Sequence, residues 1–191
     1  MISYKELYTK SNLISLLRLL LAVPLWFLID NLDDEFYRYL TFGICVFGAF
    51  TDILDGYLAR KYNEVTEAGK IIDPFADKIV IGVIVIKLYL VGIIPSYYFF
   101  MIIGRDLLIF IGGIIVSRKL GKVLPSNMLG KITVVSIGIV ILFFILGAAD
   151  KENYLFLSLY ALSIILIFAS FIGYLIRAIE FINQKKNYES V

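Results

Sequence analysis

Residues 52–77 read DILDGYLARKYNEVTEAGKIIDPFAD. The stretch holds two pairs of acids, Asp52 with Asp55 and Asp73 with Asp77, and strongly apolar sequence flanks it on both sides. An ionised side chain at the centre of a bilayer costs about 3 kcal/mol even on a mild insertion scale. Acids this close to hydrophobic segments therefore need water, a cation or one another. On a helix turning about 100° per residue, Asp52 and Asp55 point within roughly 60° of each other, and Asp73 and Asp77 within roughly 40°. Each pair marks one helix face. The polar connection between the pairs turns the chain back, so that the two faces oppose each other at a membrane boundary.

The rest of the chain supplies the membrane. Of its 191 residues 60% are hydrophobic and 18% charged, and the mean hydropathy is +0.88. A soluble domain is about 45–50% apolar and about 25% charged. The excess lies in six blocks, at roughly 12–30, 37–60, 70–92, 96–117, 129–148 and 154–181, each long enough to cross a bilayer as a helix. The expected fold is an all-α integral membrane domain, residues 1–191, with six transmembrane helices. MISYKELYTKSN (1–12) reads as a short interfacial helix or as an unstructured leader. LIDNLDD, after the first block, has no small-residue cleavage site, so that block is expected to be retained. Cys45 is the single cysteine and there is no histidine, which argues against zinc and copper. No nucleic-acid partner is expected.

Charge gives the orientation. Lys and Arg accumulate in cytoplasmic connections. All but Arg38, Lys87 and Lys151 of the 18 basic residues fall on one side of a six-span arrangement. The opposite side carries DNLDDE (30–35) and DKE (150–152). Both termini and the aspartates are thus expected to face the cytoplasm, in an inner membrane of bacterial type, with the active-site cavity opening to that side.

Four carboxylates in one pocket repel unless some protonate or a cation intervenes. An all-oxygen set suits Mg²⁺ or Mn²⁺, and two such ions can stabilise both the entering and the leaving oxygen of a phosphoryl transfer. Singly, Asp52 or Asp55 reads as an interfacial helix-end residue, and Asp73 before Pro74 as a helix start; as a spaced set the four favour a site. The intervening residues fit phosphate chemistry. Gly56 and Ala59 keep one helix face shallow, and Arg60 can fork onto phosphate oxygens. Gly69 marks a turn or a tight contact before the second pair. Ordinary readings exist for each: helix packing for Gly56, an interfacial anchor for Arg60, loop punctuation for Gly69.

The spacing Asp52-x2-Asp55-Gly56-x2-Ala59-Arg60-x8-Gly69-x3-Asp73-x3-Asp77 resembles the signature of the CDP-alcohol phosphatidyltransferase family at all eight positions. The resemblance implies a six-helix membrane enzyme, usually a homodimer, that displaces CMP from a CDP-linked lipid with an acceptor hydroxyl and needs Mg²⁺ or Mn²⁺. It implies metal ligation by Asp52, Asp55 and Asp73, and a general-base role for Asp77, which also touches a metal. Asp52, Gly56, Ala59, Arg60 and Gly69 are implied to bind CDP.

Arg105, Lys131 and Arg177 are expected toward the cytoplasmic ends of their spans, with Arg118 and Lys119 extending the group. Together they would suit a phosphorylated acceptor, while separately each reads as a snorkelling interfacial residue. The opening SNLISLLRLLLAVPL and the GK at 130–131 resemble the branch of the family that joins glycerol 3-phosphate to CDP-diacylglycerol. Arg105-Asp106 resembles the branch using phosphatidylglycerol at least as well, and an inositol phosphate is a further alternative. Outside the family, a prenyltransferase would show more spans and two separated acidic motifs. A transporter or cation-binding protein would not require Gly56, Ala59 and Arg60 between the acids.

Overall fold

A computed structural model describes the backbone of residues 10–61, 69–120 and 128–189, without the side chains of residues 10–14, 53–77, 115, 117–120, 178 and 181–189. Those residues form six long helices: α1 (Lys10–Leu28), α2 (Glu35–Lys61), α3 (Gly69–Leu90), α4 (Ser96–Leu120), α5 (Met128–Ile145) and α6 (Tyr154–Glu189). A short 3₁₀ turn, Ile29–Asn31, follows α1. No strand occurs among the described residues. Among the described residues, three stretches are long and apolar enough to cross a membrane: Ser96–Ile114, Met128–Ile145 and Tyr154–Arg177. The first three helices hold more charge, including Arg18 in α1, Asp52 and Asp55 in α2, and Asp73, Asp77 and Lys87 in α3.

The chain forms two compact units, Met1–Ile93 and Ile94–Val191. In the first, α1 packs against both α2 and α3. Leu25, Ile29, Val85 and Leu88 are almost fully buried there. Ion pairs join the middle of α1 and the turn after it to the neighbouring helices. Arg18 Nη1 lies 2.7 Å from Asp52 Oδ1, tying α1 to α2. Just past the C-terminal end of α1, Lys87 Nζ of α3 lies 2.7 Å from Asp30 Oδ1 and 4.7 Å from the centre of the Trp26 ring.

In the second unit α6 packs against both α4 and α5. Two levels of the α4–α6 seam stand seven residues apart on both helices, the period at which two helices keep the same faces together. The Tyr98 and Ser163 hydroxyls are 2.9 Å apart, and Arg105 meets Ser170 one heptad later on each helix. Seven residues further along α4 but only four along α6, a Cβ at Gly112 would stand 3.3 Å from Tyr174 Cε1. On α5, the single hydroxyl hydrogen of Thr133 is shared between Leu129 O, 2.7 Å from Oγ1, and Leu166 O of α6, 3.1 Å from it. Hydrogen bonds between helices in a bilayer contribute about 0.6 kcal/mol each on average. Their main effect is to set register, because apolar side chains alone would let the helices slide.

The turns obey local chemistry. Asp34 Oδ1 accepts the Phe36 N–H at 2.8 Å and Asn153 Oδ1 accepts the Phe156 N–H at 3.1 Å, capping α2 and α6. Gly92 (φ 76°) and Gly147 (φ 67°) end α3 and α5. At each, the glycine N–H and the next N–H fold back to the last helical carbonyls.

Candidate active site

The described side chains reach Asp52 on α2 and resume at Lys78 on α3. Asp55, Gly56, Ala59, Arg60, Gly69, Asp73 and Asp77 keep their places along those two helices, but their side chains lie outside the described residues. Asp52 and Asp55 stand three apart in one uninterrupted helix, and Asp73 and Asp77 four apart in the next.

Asp52 has a partner that reading the motif alone does not provide. Arg18 of α1 is nearly buried, with its side chain 4% exposed, whereas the Asp52 side chain is 46% exposed. A buried guanidinium is costly unless paired, so Arg18 holds the carboxylate as much as the carboxylate holds it. One Asp52 oxygen is taken by Arg18, and the other has no hydrogen-bond partner among the described residues. A half-exposed carboxylate with one oxygen fixed by Arg18 fits an approaching hard cation. The donor chemistry agrees, since the motif offers carboxylate oxygens and the chain has no histidine.

The expected acceptor cations are distributed over the second unit. Arg105 lies nine residues inside the apolar stretch Ser96–Ile114, deeper than an interfacial residue. Its side chain is 9% exposed. Nε donates to Ser170 Oγ at 3.1 Å, Nη1 pairs with Asp106 Oδ1, and a Cβ on Gly130 would lie 3.3 Å from Nη2. Gly130 precedes Lys131, so two of the expected cations come to the first turn of α5. Lys131 is exposed. Arg177, also exposed, closes the apolar stretch Tyr154–Arg177, seven residues beyond Ser170. The side chains of Arg118 and Lys119 lie outside the described residues.

Two residues here are not legible as site residues in the sequence. Arg18 reads as an ordinary basic residue near a span, and Ser170 as one small residue in an apolar helix. Their partners are 34 and 65 positions away, so no local pattern links them. The only hint was an arginine within an apolar block, which demands a counter-group.

Residues 8–176 match the family model for CDP-alcohol phosphatidyltransferase. The CDP-diacylglycerol–glycerol-3-phosphate 3-phosphatidyltransferase of Aquifex aeolicus is 31% identical over 176 residues, covering 90% of this chain and 96% of that protein. The enzyme of the same name from Bacillus subtilis is 39% identical over 87 residues, 46% of this chain and 45% of its own. The cardiolipin synthase (CMP-forming) of Rattus norvegicus is 37% identical over 108 residues, 56% of this chain but only 34% of the longer rat protein. The match takes in the whole acidic signature and both flanking helices, α1 and α4, and on that extent the chain belongs to the CDP-alcohol phosphatidyltransferase family.

Proposed function

We propose that this chain transfers a phosphatidyl group from CDP-diacylglycerol to the hydroxyl of glycerol 3-phosphate, releasing CMP. The observation that carries this reading is the complete eight-position signature within a near end-to-end likeness to the Aquifex aeolicus protein. Asp52, Asp55, Asp73 and Asp77 would hold two Mg²⁺ or Mn²⁺ ions. Bound there, the ions would neutralise the donor diphosphate and make CMP a better leaving group.

The chain's own residues do the rest. Gly56, Ala59 and Gly69 leave room for the cytidine nucleotide, with Arg60 on its phosphates. Asp77 accepts the proton of the acceptor hydroxyl at a carboxylate oxygen, a step that typically contributes about 10²–10⁴-fold. The acceptor oxygen forms its bond to the phosphatidyl phosphorus as the bond to CMP breaks. Arg105, Lys131, Arg177 and Arg118 receive the acceptor phosphate; the approach of Arg105 to the first turn of α5 supports the first two. The diacylglycerol chains stay in lipid beside the six spans. Both termini and the site face the cytoplasm, and the working form is a homodimer.

Phosphatidylglycerol is the second reading. The Arg105–Asp106 pair and the likeness to a protein named cardiolipin synthase favour it.

The test is CMP release by the purified chain with CDP-diacylglycerol and Mg²⁺ or Mn²⁺, offering glycerol 3-phosphate, phosphatidylglycerol, inositol phosphate and serine separately. Turnover is expected with glycerol 3-phosphate and is expected to vanish in EDTA. Asp77→Asn is expected to abolish it while leaving donor binding. Turnover only with phosphatidylglycerol would replace the acceptor, and full activity in Asp77→Asn would remove its role as base.

A further inference from the structure

We propose that Ser170 is a positioning residue for Arg105 and thereby sets the affinity for a phosphorylated acceptor. This rests on the reading of Arg105 as a group that receives the acceptor phosphate.

The Ser170 hydroxyl donates to Ile167 O at 3.0 Å, which turns its lone pairs toward Arg105 Nε at 3.1 Å. Ser170 is 2% exposed, so no water competes for that lone pair. A guanidinium is planar, and fixing two of its nitrogens fixes the third. Asp106 anchors Nη1 and Ser170 anchors Nε. Nη2 is left against Gly130 with no hydrogen-bond partner among the described residues.

The direction of Nη2 is thus decided from α6. Without the Ser170 hydroxyl the guanidinium pivots about its bond to Asp106, a neighbour on its own helix that gives no reference to α5. With it, two hydrogens of a buried cation are presented at the first turn of α5, beside Lys131. Gly130 leaves the clearance, since a Cβ there would already crowd Nη2. Ser163 makes the analogous bond to Tyr98 one heptad earlier. That position orients an aromatic ring and carries no charge, so the functional part of the seam is the Ser170 level.

The experiment compares Ser170→Ala, Ser170→Thr and Arg105→Gln with the wild-type full chain in mixed micelles of CDP-diacylglycerol and Mg²⁺, following CMP release as glycerol 3-phosphate is varied. Ser170→Ala is expected to raise the KM for glycerol 3-phosphate about tenfold, the size of one lost hydrogen bond to a charged group. Its kcat and its KM for CDP-diacylglycerol are expected to stay within about twofold of wild type. Ser170→Thr keeps a hydroxyl and is expected to restore the acceptor KM. Ser170→Cys, close in volume and a poor acceptor, is expected to behave as alanine does, and decides the matter should the alanine variant not fold.

A residue that merely packed the helices would change kcat and both KM values together, and threonine would not rescue it; that pattern overturns the proposal. An unchanged acceptor KM in Ser170→Ala, with a raised one in Arg105→Gln, overturns the role of Ser170 alone. An unchanged acceptor KM in Arg105→Gln, or no wild-type turnover with glycerol 3-phosphate, overturns the acceptor reading beneath it.

Discussion

At the residue scale the ion pair between Arg18 and Asp52 carries a measurable consequence. The guanidinium is almost fully buried and the carboxylate only half so, so the two partners are not equivalent. Asp52→Asn removes the charged partner that Arg18 holds on α2 and is expected to lower stability by about 1–2 kcal/mol. Arg18→Met removes the charge and keeps an aliphatic stem in its place. The double variant is therefore expected to lose less stability than the two single variants together, because both remove the same contact. Thermal unfolding in detergent with EDTA would check this; equal melting of Asp52→Asn and wild type would show that the pair does not secure α1 to α2. The motif spacing made Asp52 legible as chemistry. Its partner was not, because Arg18 lies 34 residues earlier on another helix, and a basic residue near a span usually reports only orientation.

At the element scale, long apolar blocks are the easiest feature of this chain to read, and six helices follow them. The block expected at 154–181 continues as helix to Glu189, since a helix need not end where its apolar stretch does. The stops at Gly92 and Gly147 have a local cause that hydropathy does not encode: each needs a left-handed backbone. Gly92 has open space around the position of a Cβ, so Gly92→Ala meets only the backbone penalty, about 1–2 kcal/mol. Gly43 also has open space but sits inside α2. There alanine is expected to stabilise by about 0.5–1 kcal/mol, because glycine is a poor helix former. Opposite shifts in melting temperature for the two substitutions would confirm the distinction; a matching fall would mean that Gly43 faces a helix or a second copy. The heptad seam of α4 and α6 is a third kind of feature. Tyr98, Arg105 and Gly112 are visible at seven-residue spacing in the sequence, but nothing in it says that Ser163 and Ser170 answer them.

At the scale of the whole molecule the question is how many helices cross the bilayer and which way. Hydropathy within the described residues marks three stretches, and the charged helices α1, α2 and α3 are those that bear or pack beside the acidic signature. The proposed six-span arrangement has these three cross as well, oriented by the basic residues. Of the three basic residues on the side poor in Lys and Arg, two are engaged in turn chemistry: Lys87 pairs with Asp30, and Arg38 Nε donates to Leu32 O at 3.1 Å. They stabilise the α1–α2 connection and are poor evidence against a cytoplasmic assignment of the remaining basic residues. Six crossings would place Lys151 outside, and Lys122 and Lys185 inside. With Cys45, the single cysteine, replaced by alanine, a cysteine at each position can be offered a membrane-impermeant maleimide in intact spheroplasts. Lys151→Cys is expected to label directly, and Lys122→Cys and Lys185→Cys only after the membrane is opened. Labelling of Lys122→Cys from outside would invert the topology, and would put the aspartates on the side of the membrane away from cytoplasmic glycerol 3-phosphate, where the proposed reaction has no acceptor.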